Sequence, residues 1–75
     1  MTKLPVVRPR QLLRALERAG FYVDHVRGSH HYLKHPAKPG TLVVVPMHNR
    51  DLKRGAPSAI LSQAGLSAAD LLNRL

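Results

Sequence analysis

A short segment near the middle of the chain carries side chains whose chemistry suits an RNA ligand. His30, Tyr32 and Lys34 alternate along the sequence, and this spacing directs them to one face of a β-strand. An imidazole can move a proton, a phenol ring can stack on a base, and an ammonium group can hold a phosphate. The same pattern fits a solvated strand face with ordinary polar residues, and the spacing alone leaves both interpretations open.

A second candidate is the most basic loop of the sequence, residues 49–55. Arg50, Lys53 and Arg54 precede the start of a predicted helix, and helix N-termini favour anions. One interpretation is that this loop contacts RNA phosphates. The other is a solvated loop in which Asp51 pairs with Arg50 or Lys53, since loops are usually exposed.

Other kinds of chemistry find little support in the sequence. The chain has no cysteine, which excludes disulfides, thiolate zinc sites and cysteine nucleophiles. Five histidines are present, but their spacing matches no zinc motif, and adjacent His30 and His31 point to opposite faces of a strand. There is no phosphate-binding glycine loop, dinucleotide motif or serine–histidine–acid pattern. We therefore expect no metal and no cofactor.

The charge balance indicates a polyanionic partner. Twelve Lys and Arg against four Asp and Glu give a net charge of +8 in 75 residues. Such a positive field attracts nucleic acid first, with an anionic membrane surface or an acidic protein as alternatives. The longest apolar run, residues 42–45, falls far short of the ~20 residues of a membrane span. Because the N-terminus also lacks an apolar signal core, we expect a cytoplasmic protein.

Periodicity and turn residues predict a single α+β domain over residues 1–75. In chain order, the predicted elements are a helix over 9–19, strands over 21–27, 30–35 and 41–45, a helix over 57–64 and a short C-terminal helix over 68–73. Gly20 and Gly65 are expected to end the two main helices. A bend or bulge is expected at Gly28 and Ser29.

The connections between the predicted strands are short, which implies a three-stranded antiparallel sheet. The two main helices must cover one face of this sheet, and the other face is then open to solvent. Leu33 is the only aliphatic residue of the second strand, so its face should meet the core. His31 and His35 should point the same way, which leaves the alternate, polar positions of that strand exposed.

Several short motifs together resemble those of the HicA toxin family. They are Gly28-Ser29-His30-His31, His35-Pro36, Val43-Val44-Val45-Pro46, and the run ILSQAGL from Ile60 to Leu66. The motifs occur in the family's order and spacing, and the resemblance extends from about Leu12 to Leu72. One departure is Gly55-Ala56, where family members often carry Gly-Thr. The missing hydroxyl removes a candidate cap for the following helix, and Pro57 can compensate by presetting its first turn.

The resemblance implies a fold, an activity and a partner. The family's fold is an α-β-β-β-α sandwich similar to a double-stranded-RNA-binding domain. Its members are toxins that cleave mRNA without a metal and inhibit translation. The family's catalytic histidine follows Gly-Ser, which corresponds here to His30, with Gly28 and Ser29 as supporting neighbours. The usual partner is a HicB antitoxin with an acidic surface.

The sequence leaves more than one function open. In the first, an endoribonuclease uses His30 as general base, and the other basic and aromatic candidates bind RNA. In the second, a noncatalytic RNA-binding module of the same fold uses His30 only as a backbone contact. A DNA-binding regulator is a weaker third hypothesis, because no convincing recognition helix is present.

Overall fold

The structure, a computed structural model, describes residues 7–47 and 56–74. In chain order its elements are α1 (Pro9–Arg18), β1 (Tyr22–Arg27), β2 (His30–Lys34), β3 (Val43–Pro46), α2 (Ala56–Ala64) and α3 (Ala68–Arg74). The strands form one antiparallel sheet in the order β1-β2-β3. The predicted α+β class, the α-β-β-β-α order and the additional C-terminal helix are therefore confirmed.

The ends of the strands differ slightly from the prediction. β3 begins at Val43 and includes Pro46, although the sequence predicted a start at Thr41 and an end before the proline. Proline cannot donate a hydrogen bond, so it is tolerated in a sheet only on an edge strand or at a strand end. Pro46 satisfies both conditions, because β3 is an edge strand and Pro46 is its last residue.

The hydrophobic core lies between one face of the sheet and the helices. Leu33 of β2 and Val43 and Val45 of β3 are fully buried. They pack in one cluster with Leu12 and Leu16, which lie one turn apart on α1 and are also fully buried. None of the described helices covers the opposite face of the sheet, where most side chains of β1 and β2 are exposed.

A glycine and a histidine hold the junction that follows α1. Gly20 has a φ of +100°, a conformation that favours glycine, and a Cβ there would lie 2.6 Å from His35 Nε2. His35 Nε2–H donates to the Ala19 carbonyl at 3.0 Å, and its Nδ1 accepts from the Ala37 N–H at 3.0 Å. The His35 ring also meets Phe21 edge-on, with centroids 4.9 Å apart. His35 therefore fastens the end of β2 to the end of α1.

The C-terminal helix is an integral part of the core. Leu71 of α3 is fully buried, and the Arg18 guanidinium of α1 donates to the Arg74 carbonyl. Ser67 and Asp70 form a capping box at the start of α3: the Ser67 N–H and Oγ–H both donate to Asp70 Oδ2, each at 2.9 Å, and the Asp70 N–H donates to Ser67 Oγ at 3.1 Å. The backbone hydrogen bond from Ser67 holds the pKa of Asp70 below its ordinary value.

The two adjacent leucines of α3 provide a test of this packing. Leu71 is 0% exposed and Leu72 is 40% exposed. We expect Leu71→Ala to lower the free energy of unfolding by about 2–5 kcal/mol, because it leaves a cavity in the core. The matched variant Leu72→Ala should change it by about 0.5 kcal/mol or less. Urea unfolding of both variants measures the difference, and equal losses would contradict the packing of α3.

Candidate functional site

The side of the sheet turned away from the helices carries the predicted site residues of β2. Residues paired across neighbouring strands share a face, so the pairing defines this surface. We call it the open face, and its paired members are Tyr22, His25 and Arg27 of β1, His30, Tyr32 and Lys34 of β2, and Val44 and Pro46 of β3. Asp24 has no paired residue and joins them through its contacts with His25 and Lys34. The prediction that the three polar residues of β2 share the solvent side is therefore confirmed.

A tight turn at Gly28 and Ser29 sets the start of β2. Gly28 has a φ of +55°, which favours glycine over residues with a Cβ. The Met47 N–H donates to the Ser29 carbonyl, so the turn is tied to the end of β3. The position of His30, the next residue, is fixed by these contacts on both sides.

His30 is exposed at the end of the open face nearest this turn. It lies opposite Arg27 on β1 and Pro46 on β3. Its imidazole has no hydrogen bond or ion pair with another residue in the described ranges. An unengaged imidazole beside a guanidinium can exchange a proton with a bound anionic ligand.

A β-bulge in β1 alters which side chains face outward. Val23 keeps the expected pairing, but the register then skips Asp24, and His25 pairs with Tyr32. Strict alternation from Val23 would direct His25 toward the helices. The extra residue instead brings His25 to the open face, because one inserted residue reverses the orientation of all that follow.

On the open face, His25 contacts both an aromatic ring and a carboxylate. Its imidazole stacks on the Tyr32 ring with centroids 4.4 Å apart and an interplanar angle of 8°. Its Nδ1 lies 2.8 Å from Asp24 Oδ2, and the same oxygen lies 3.5 Å from Lys34 Nζ. The hydrogen bond with His25 is the main cause, ahead of the Lys34 charge, that holds the pKa of Asp24 below its ordinary 3.8. The only carboxylate on the open face is therefore oriented toward His25 and Lys34.

His31 and His35 point away from the open face, as the sequence predicted. His31 is half-buried opposite Val26 and Val45. Its Nδ1 is buried and has no hydrogen-bond partner in the described part of the chain. Both histidines belong to the packed side of the sheet and take no part in the open face.

Three predicted RNA-binding residues, Arg50, Lys53 and Arg54, lie outside the described residues. Their contribution to the site stays a prediction from the sequence. Within residues 7–47 and 56–74, no group of three His, Asp or Glu side chains is arranged to hold a metal ion. None of the helices in these ranges is long and apolar enough to cross a membrane.

The sequence prediction missed the contribution of β1 to the site. Asp24, His25 and Arg27 all join the open face, although only the Gly28–Ser29 turn, β2 and the basic loop were proposed. A signal for the bulge was present in the spacing of the valines. Val23 and Val26 are three residues apart, whereas a regular strand repeats its core side chains every second residue.

Comparison with known protein families places this chain in a defined group. The family described as the HicA toxin of bacterial toxin–antitoxin systems matches residues 9–66, which include the whole sheet together with α1 and α2. The chain belongs to the HicA toxin family. It is the toxin component of a toxin–antitoxin system and has an antitoxin as its partner. The comparison with curated proteins gave no match.

The titration of Asp24 tests the geometry of the open face. We expect His25→Phe to raise the pKa of Asp24 toward 3.8, because the hydrogen bond with His25 is the main cause of its depression. Lys34→Met should raise it less. Because the pKa is lower in the folded state, these contacts stabilise the fold above about 3.8, the unfolded value, and the contribution is lost as the pH falls through the folded value.

Carbon-detected NMR of the Asp24 carboxyl group between acidic and neutral pH measures this midpoint in each variant. A midpoint that does not move in folded His25→Phe would contradict the Asp24–His25 contact.

Proposed function

We propose that this toxin is an endoribonuclease that cleaves mRNA, and thereby inhibits translation, with His30 as the general base. The observation that carries the proposal is the position of His30. It is exposed on the open face, directly after the Gly28–Ser29 turn, with the Arg27 guanidinium opposite and no internal partner among the described residues. A base must be accessible and unengaged to take a proton from a substrate.

RNA supplies the nucleophile for this reaction, so a single well-placed base can start it. His30 takes the proton of a ribose 2′-hydroxyl, and the 2′-oxygen attacks the adjacent phosphorus. The bond from phosphorus to the 5′-oxygen breaks, and that oxygen receives a proton. The products are a 2′,3′-cyclic phosphate and a 5′-hydroxyl. This route uses only groups of the protein and the substrate, and we propose that it is metal-independent.

Cationic side chains of the open face would bind the phosphates of the RNA, and the one opposite His30 would also stabilise the charge of the transition state. Arg27 lies opposite His30, and Lys34 lies on the same strand and face. We propose Arg50, Lys53 and Arg54 as further phosphate ligands, on the strength of the sequence. Tyr32 contacts the RNA as part of its stack with His25, so one face of its ring is already covered.

The antitoxin would act by covering the same surface. A positively charged open face attracts an acidic protein as well as RNA, and complementary charge speeds association. We propose a HicB-like antitoxin whose acidic surface contacts Tyr32 and Lys34, together with the basic loop 50–54. Both proteins would act in the cytoplasm, where mRNA is translated.

One observation favours the alternative of a noncatalytic RNA-binding module. In many hydrolytic sites a carboxylate orients the catalytic imidazole. Here Asp24, the carboxylate of the open face, contacts His25 and Lys34 instead of His30. If His30 only contacts the RNA backbone, its removal weakens binding and changes no chemical step.

Two substitutions on the open face separate chemistry from binding. His30→Ala should lower the single-turnover rate of RNA cleavage by about 10²–10⁴-fold at saturating enzyme, because it removes the base. RNA affinity and thermal stability should stay near those of the wild type, since the side chain is exposed. Lys34→Met should weaken RNA binding and leave the rate at saturation nearly unchanged.

Cleavage of a labelled RNA, RNA binding by anisotropy and thermal melts of the three proteins provide the measurements. Full-rate cleavage by a folded His30→Ala protein would reject the catalytic role and favour the binding module.

A further inference from the structure

The bulge in β1 changes which side chains the open face offers to a ligand. A β-bulge disrupts the ladder of hydrogen bonds, and bulges often redirect a side chain next to a functional site. In this sheet the residue redirected is a histidine: the skipped register at Asp24 brings His25 from the packed side to the open face. Among the described residues, the open face therefore carries two imidazoles, those of His25 and His30.

The two imidazoles differ in their surroundings. His30 has no partner within the described residues, whereas Nδ1 of His25 lies 2.8 Å from the Asp24 carboxylate. A carboxylate on one ring nitrogen fixes the orientation and the tautomer of the ring. The Tyr32 ring, stacked at 4.4 Å, restrains the imidazole further. No other hydrogen bond engages the His25 ring in the described structure, which leaves Nε2 for a ligand.

The pairing of the strands also sets the separation between the two histidines. His25 pairs with Tyr32, and His30 is two residues before Tyr32 on β2. His25 and His30 are therefore diagonal neighbours on one face, a relation that corresponds to about 7–8 Å between backbone positions. Side chains at this separation can bind opposite sides of one phosphodiester, each through a hydrogen bond of about 2.8 Å.

We propose that His25 is a second catalytic residue, the general acid that protonates the leaving 5′-oxygen. This inference rests on the proposed ribonuclease function. His30 removes the proton from the 2′-hydroxyl, the 2′-oxygen forms its bond to phosphorus, and the bond from phosphorus to the 5′-oxygen breaks. His25 delivers the proton from Nε2 to that oxygen. The RNA therefore gains one proton at the 5′-oxygen for the one that it loses at the 2′-hydroxyl. Asp24 is the positioning residue for His25.

The charges around His25 are consistent with this role. Among the described residues, the charged and titratable groups that share its face are Tyr22, Asp24, Arg27, His30, Tyr32 and Lys34. Asp24 is the only acidic group among them, and it contacts His25 directly. Its carboxylate gives His25 a charged partner that His30 lacks among the described residues.

The experiment uses two RNA substrates that differ at one atom. The first is ordinary RNA, and the second carries sulfur in place of the leaving 5′-oxygen. A thiolate leaves without protonation, because thiols are much more acidic than alcohols. His25→Phe keeps a ring to stack on Tyr32 but cannot donate a proton. Asp24→Asn keeps the imidazole and removes the charge that positions it.

We expect His25→Phe to lower the single-turnover rate on ordinary RNA by about 10²–10⁴-fold and to cleave the sulfur substrate at nearly the wild-type rate. Asp24→Asn should show a smaller loss, again restored by sulfur. His30→Ala should be impaired on both substrates, because both need activation of the 2′-hydroxyl. Melting curves and RNA affinity of each variant provide the control for folding.

The outcomes separate this inference from the proposed function. Full-rate cleavage of ordinary RNA by His25→Phe, or an equal loss on both substrates, would overturn the role of His25 as the acid. If His30→Ala is inactive in the same experiment, the ribonuclease proposal stands without it. If the wild-type protein cleaves neither substrate, the proposed function fails, and the role of His25 fails with it.

Discussion

The structure depends on the coverage of its sheet from one side only. Leu33, Val43 and Val45 are fully buried against the helices, and they belong to the hydrophobic cluster that forms the core of the described residues. A small domain buries only about 60% of the surface that its unfolded chain exposes, so little is left to cover a second face. The open face is the direct consequence, and it carries the polar side chains of β1 and β2.

Local backbone features determine what this surface presents. The turn at Gly28 and Ser29 sets the position of His30, and the bulge at Asp24 turns His25 outward. Of the described residues, two histidines therefore share the solvent side of the sheet. Regular alternation along β1 would have left His30 there alone. A surface that cleaves RNA would inhibit the growth of the cell unless another protein covered it. This is consistent with a family of toxins that is paired with antitoxins.

Most of the fold could be predicted because its local signals agree with its packing. The leucines of α1 repeat at helical spacing, and Ser67 with Asp70 forms the cap expected of that pair. The exposed side of β2 followed from the single aliphatic residue at Leu33. In each case a pattern within one element was sufficient, because burial imposes the period of the element on its sequence.

The features of the fold and of the site that could not be predicted depend on contacts between elements. The bulge at Asp24 is defined only by the register of β1 against β2, so alternation within β1 predicts the wrong face for His25. The stack of His25 on Tyr32 follows from the same register. His35 was expected on the packed side, but its hydrogen bonds could not be predicted. They join it to the Ala19 carbonyl, which is distant in sequence, and to the Ala37 N–H in an irregular turn. The burial of Leu71 likewise depends on how α3 packs on α1.

The central claim is that the open face catalyses an attack by the RNA's own 2′-hydroxyl. The most direct measurement compares cleavage of an RNA with that of the same RNA carrying one 2′-deoxynucleotide at the cleaved linkage, with analysis of the product ends. Attack by the 2′-hydroxyl predicts a 2′,3′-cyclic phosphate and a 5′-hydroxyl from the first RNA. It predicts no cleavage at the deoxy position of the second RNA. Cleavage at the deoxy position would mean that water or another nucleophile attacks the phosphate, and would contradict the account.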